Sequence, residues 1–199
     1  MPVYIALLRA IGPATHRQMS MRALREACLA AGLTRAETFS QTGNIVIATR
    51  KSRARTQAIV AGVLRGFGLA NDVIVVGAAD VERTLAADPF PDAAATRPGR
   101  LIAFFLAGAP NPEGLATLWR HTGPERVALA GDAVCVDYAD GVAVSKLSPA
   151  KVQRLLGVTT TFRSWNSVRG IARLAATFSA KPGAAAGSAK KTRRSPTRQ

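Results

Sequence analysis

Short unbroken apolar runs alternate along this chain with stretches whose apolar residues recur every three or four positions, the marks of buried strands and amphipathic helices. The run Val3 to Leu8 predicts a first strand ended by Arg9, and Gly12, Pro13 and Thr15 make the following AIGPATHRQ a loop. From Ser20, a suitable N-cap, Met21, Leu24, Cys28 and Ala31 keep helical spacing as far as Gly32. The stretch FSQTGNIVIA, Phe39 to Ala48, reads as two strands about a tight connection, Gln41-Thr42-Gly43-Asn44, because Gly and Asn tolerate a left-handed backbone. A second helix through Ile59, Val63, Leu64 and Phe67, closed by Gly68, and a strand from Val73 to Val76 complete the series. The order strand, helix, strand, strand, helix, strand is the split β-α-β of ferredoxin-like folds, with helices over one face of an antiparallel sheet.

Asp80 to Ala87 predicts a linking helix, and Asp88-Pro89-Phe90-Pro91 breaks it, since proline restricts both its own φ and the preceding residue. The segment DPFPDAAATRPG then reads as an interdomain connection, after which the same order returns. It comprises a strand from Leu101 to Ala107, a short helix from Glu113 to Arg120, and a hairpin of Arg126 to Ala130 with Ala133 to Asp137 about Gly131-Asp132. A helix opened by Ser148-Pro149 and closed by Gly157 follows, then a strand from Thr159 to Phe162. A final helix carries Val168, Ile171, Leu174, Ala175 and Phe178 on one side. The expectation is an α+β protein of two consecutive ferredoxin-like subdomains, 1–78 and 100–180, joined by the linking helix and proline-rich connection of 79–99 and followed by a tail, 181–199.

Charge changes this picture more than composition does. The net charge is +15, and the tail contributes six Lys and Arg with no acid. KPGAAAGSAKKTRRSPTRQ has nothing apolar to bury, so it is expected to be disordered. Such a tail either solubilises the protein or binds nucleic acid weakly through its phosphates. No window approaches the roughly 18 to 20 apolar residues of a membrane span, and MPVYIALLRA reads as a strand rather than a signal peptide, so no membrane and a cytoplasmic location are expected. Cys28 and Cys135 form no close pair and predict buried free thiols. His16 and His121 stand apart from each other and from cysteine, so neither a metal site nor a cofactor is expected. Walker, dinucleotide and nucleophile-elbow motifs are absent. Base stacking on the sheet, as in RNA-recognition modules, lacks support because the strand IVIAT offers no aromatic partner for Tyr4.

Three segments taken jointly, VYIALLRAI, SQTGNIVI, and SKL followed by LG and TFRSWNSVRGIARL, resemble the bacterial family of domain of unknown function 1697. The resemblance extends to about Ala180. Arg9 and Ile11 match its first loop, but Gly12, Pro13, Ala14 and Thr15 replace an Asn-Val-Gly-Gly, which disfavours a main-chain anion pocket there. Gln41, Gly43, Asn44 and Val46 match the second motif, and Thr161, Arg163, Trp165 and Val168 the third. The resemblance implies a two-part α+β fold and leaves the chemistry open, since the family carries no established activity. The polar residues inside these motifs, Arg9, Gln41, Asn44, Lys146 and Arg163, are the candidate ligand-binding set, and together they suit a phosphate or carboxylate. Structural roles compete: Asn44 could satisfy its turn, Arg163 could cap carbonyls of a neighbouring element, and Trp165 suits a core anchor. The expected function is non-catalytic binding of an anionic small molecule or nucleic-acid phosphates, with a small-substrate enzyme, its site between the two subdomains, as the alternative.

Overall fold

The continuous apolar runs are continuous because both faces of their strands are buried. The computed structural model describes residues 1–179. The first half comprises β1 (Val3–Leu8), α1 (Pro13–His16), α2 (Met21–Ala30), β2 (Arg35–Phe39), β3 (Asn44–Ala48), α3 (Arg53–Gly66) and β4 (Val73–Gly77). Helices α4 (Ala78–Ala87) and α5 (Pro91–Thr96) lead to the second half: β5 (Leu101–Leu106), α6 (Pro112–Trp119), β6 (Arg126–Ala130), β7 (Ala133–Asp137), α7 (Pro149–Leu156) and β8 (Thr160–Ser164), closed by α8 (Trp165–Ser179). The protein is thus α+β, with two four-stranded antiparallel sheets in the orders β2-β3-β1-β4 and β6-β7-β5-β8. Strand for strand, the second half repeats the topology of the first.

Alternation along each strand assigns its two faces. Ala6, Leu8, Ile45 and Ile47 meet Leu24 and Cys28 of α2 and Val60 and Leu64 of α3. Phe104, Val134 and Val136 meet Leu118 of α6 and Val152 and Leu156 of α7. The opposite faces, Ile5, Leu7, Val46 and Ile74 from one sheet and Leu101, Ala103, Phe105 and Cys135 from the other, enter one shared core. Helix α8 fills that core with Trp165, Val168, Ile171 and Ala175. Helices were expected over one face of each sheet; the second face is covered as well, by the shared core. Gly170 of α8 is needed for contact, since a Cβ there would lie inside the Phe39 ring.

Local chemistry corrects several boundaries. Residues 13–16, read as loop, form one helical turn, because Pro13 presets φ at the first position and the Thr15 hydroxyl bonds both the N–H (2.8 Å) and the C=O (2.7 Å) of Gly12. Pro91 starts α5 for the same reason, so of the four residues read as non-helical it alone is helical, and the connection contains a helix. Asn44 belongs to β3 and pairs across to Phe39 and Leu7, so the connection is residues 40–43. The tail lies outside the described residues. Cys28 and Cys135 are free and buried, and burial pushes both thiols up to about 12.

The edge strands β2 and β6 carry arginines that fasten the shared core. Arg35 lies over the Phe178 ring at 3.8 Å, and Arg126 over Phe90 at 4.6 Å. Arg126 and Arg97 each reach the Asp137 carboxylate at 2.7 Å, tying the α5 connection to the end of β7. Burial alone would raise the Asp137 carboxyl, but hydrogen bonds from Arg97 and Arg126 outweigh it and hold it below the usual range. That stability is present above the unfolded carboxylate pKa near about 3.9 and is lost as the pH falls through the lower folded value. Asp137→Asn should cost about 3 kcal/mol at pH 7, the low end for a broken buried pair because both arginines can rehydrate. Urea titrations should show the gap to wild type closing as the pH falls below the usual carboxylate range. Trp165→Ala should cost about 3 to 5 kcal/mol in the same titration, since the indole is buried where both sheets and α8 meet.

Candidate functional site

Arg163 is the point at which the two halves hold each other. Its position on β8 turns the side chain toward the first half, where Nε donates to Asn44 Oδ1 (2.5 Å) and Nη2 to the carbonyls of Leu8 (2.8 Å) and Gly43 (3.2 Å). Nη1 donates to Thr161 Oγ1 (2.9 Å) and to the Phe162 carbonyl (2.8 Å). The guanidinium thus caps the Leu8 carbonyl at the end of the β1–β3 ladder and shares the Gly43 carbonyl with the Leu8 N–H, which donates to it at 2.8 Å. Asn44, fully buried, is itself held by Nδ2 donating to the Phe39 carbonyl (3.1 Å) and to Thr42 Oγ1 (2.9 Å). Gly43 adopts φ +73°, and a Cβ there would meet Ile11 Cγ1 at 2.6 Å and Leu8 Cβ at 2.9 Å, so glycine is required for both backbone and space. His16 Nε2 braces the same turn at 2.8 Å from the Gln41 carbonyl.

All acceptors of Arg163 are formally neutral. Burial lowers its pKa to about 10, still charged at neutral pH, and no carboxylate offsets that burial. The folded state therefore bears an uncompensated buried cation at every pH below about 10. A cleft of about 640 Å³ opens beside it, walled by residues 8–11 and Thr42 of the first half and by β8, Gln153 and the first turns of α7 and α8 of the second. Among the described residues, Arg9 and Arg163 are its charged ones, and no Asp or Glu lines it. Ser164 caps α8, its Oγ accepting from the Ser167 N–H at 3.4 Å, and both serines face the cleft.

The five candidate residues divide. Arg9, at the mouth, pairs with Asp72 at 3.1 Å and lines the cleft with Arg163. Asn44 stands behind Arg163 as its acceptor. Gln41 is exposed on the turn, and its neighbour Thr42 lines the cleft instead. Lys146 is exposed and lies outside the cleft, because Ser145 bonds Glu125 and holds the segment between β7 and α7 against the other side of the second half. Gln153, Thr160, Thr161, Ser164 and Ser167, which sequence reading did not select, supply five of the eight polar residues of the lining; the dense hydroxyls of TTFRSWNS were the available signal.

A family model described as protein of unknown function (DUF1697) matches residues 1–135. The chain belongs to the DUF1697 family. The match contains Arg9, Gln41 and Asn44 and ends before the segment that carries Arg163. No curated protein matches the sequence. Among solved structures, the conserved bacterial protein SP0830 from Streptococcus pneumoniae has the same fold, with a TM-score of 0.70 at 18% identity over 88% of this chain and 99% of that one. In this DUF1697 chain, Arg163→Lys should cost about 3 kcal/mol in urea titration, because an ammonium with three donors leaves buried acceptors such as Asn44 Oδ1 unpaired.

Proposed function

We propose that this protein binds an anionic small molecule, a phosphate or carboxylate, in the cleft between its halves. We read each half as a ferredoxin-like unit from its strand order, with the binding site at the junction of the two. The observation that carries the reading is the buried charge of Arg163, which five neutral acceptors satisfy geometrically and no carboxylate neutralises. A bound anion would supply the missing charge. The first turns of α7 and α8, both on the cleft wall, add the positive ends of two helix dipoles. Arg9 adds a second guanidinium, and the hydroxyls of Thr42, Ser164 and Ser167 add neutral donors. Because the Arg163 donors are already committed, it acts on the ligand as a fixed charge rather than as a bidentate fork.

The same lining favours binding over turnover, since among the described residues it holds no His, Cys, Asp, Glu, Lys or Tyr to serve as a general acid, base or nucleophile. Inorganic phosphate in the millimolar range should raise the Tm of the full chain above that seen in sodium chloride of equal ionic strength. Ser167→Glu tests the location: it places Glu three residues after the Ser164 cap, a helix-favouring arrangement, while introducing a carboxylate into the cleft. The variant should fold and show at least tenfold weaker apparent phosphate affinity. An unchanged phosphate response would place the anion elsewhere.

A further inference from the structure

The floor of the cleft is the edge of a strand. β8 is the outer strand of its sheet, and all five of its residues line the cleft. Side chains alternate between the faces of a sheet, so a cavity reached by every residue of one strand runs along its edge. The Thr159 carbonyl accepts from the Ala107 N–H at 2.9 Å, toward β5, whereas the Phe162 carbonyl accepts from Arg163 Nη1 and so points away from β5. Alternation in an antiparallel pair then turns the N–H groups of Thr160, Phe162 and Ser164 and the carbonyls of Thr160 and Phe162 outward, the Phe162 carbonyl being shared with Arg163. The Phe162 ring, 45% exposed, rests on Phe104 at 5.5 Å on the α7 side, while the Arg163 side chain goes to the first half. The two faces of β8 therefore lead to opposite walls.

The groove is closed at one end, where β8 runs directly into α8. Arg163, Ser164 and Ser167 gather there with the positive end of the α8 dipole. Five residues of strand span about 16 Å, room for a short extended segment. We propose that this groove takes the carboxyl-terminal segment of a polypeptide as an added strand parallel to β8, its terminal carboxylate at the α8 end beside Arg163. Main-chain bonds to the outward groups of β8 supply affinity, and the ring of Phe162 with the apolar wall of Ile11 and Pro149 receives side chains. The proposal rests on the anion reading above and narrows its ligand to an extended peptide. Charge favours this occupant over a second copy of the chain, because pairing two β8 edges would bring Arg9 and Arg163 near their own copies with no acid in the walls.

The test uses the full chain and a pool of acetylated six-residue peptides, randomised among valine, threonine, leucine and serine and ending in a free carboxylate, with the same pool amidated as control. Affinity selection with mass spectrometry should retain the free-acid pool at least tenfold over the amidated one. For the best retained peptide, fluorescence anisotropy should show at least tenfold weaker binding when alternate backbone nitrogens are methylated in the register facing β8. Phe162→Pro, which deletes one outward N–H and spares the ladder to β5, should weaken the peptide more than Phe162→Thr, which keeps that N–H. If neither pool is retained, or methylation in both registers has no effect, while phosphate still raises the wild-type Tm, the strand-addition proposal fails and the anion reading stands. Absence of both responses overturns both. A dimer in solution that Phe162→Pro dissociates would show a second copy on the edge and also overturn the proposal.

Discussion

One guanidinium, buried between two sheets and bonded only to neutral oxygens, fixes how the halves of this protein meet. Arg163 reaches from β8 into the end of the β1–β3 ladder and bonds the carbonyls of Leu8 and Gly43 there. Its planar fork suits the task, since five donors in fixed directions match five acceptors from two chain regions. A carboxylate partner in the same place would have neutralised the cleft. Neutral acceptors leave its charge unspent, and the anion reading follows from that choice.

The clamp works because the shared core holds its two sides in register. Both sheets bury both faces, and α8 lies between them with Trp165 at its first position, two residues after Arg163. The cleft wall and the interior are therefore built from the same few residues: TTFRSW supplies in succession cleft hydroxyls, an exposed ring, the clamp, a helix cap and a core anchor. A change that loosens α8 must also move the Ser164 and Ser167 hydroxyls, so stability and binding are coupled here by construction.

The strand edges are treated unequally. On β2 and β6, arginines fold over aromatic rings and carboxylates of neighbouring elements, covering part of each edge with charge. The edge of β8 instead opens into a walled groove, where a stray strand of another molecule meets both charge and steric selection. Recessing an edge in this way allows outward main-chain groups to persist without general aggregation.

What the residues determined alone was the local order: the alternation of apolar runs with helical spacing, the caps Ser20 and Ser148, the terminators Gly32, Gly68 and Gly157, and the repeated topology of two α+β halves. These are short-range effects, set by φ preferences, capping bonds and periodicity, and they survive without knowledge of neighbours. The motif around Gly43 and Asn44 and that around Arg163 also stood out as one candidate set, and the bond between Asn44 and Arg163, 119 positions apart, brings them together. Tertiary structure decided that Asn44 faces Arg163, that Lys146 lies elsewhere, that Gln153 and Ser167 enter the cleft, and that the second face of each sheet is buried. Those outcomes depend on which surfaces dock, and docking is settled by the summed fit of a core drawn from residues 5 to 175, which no local window contains.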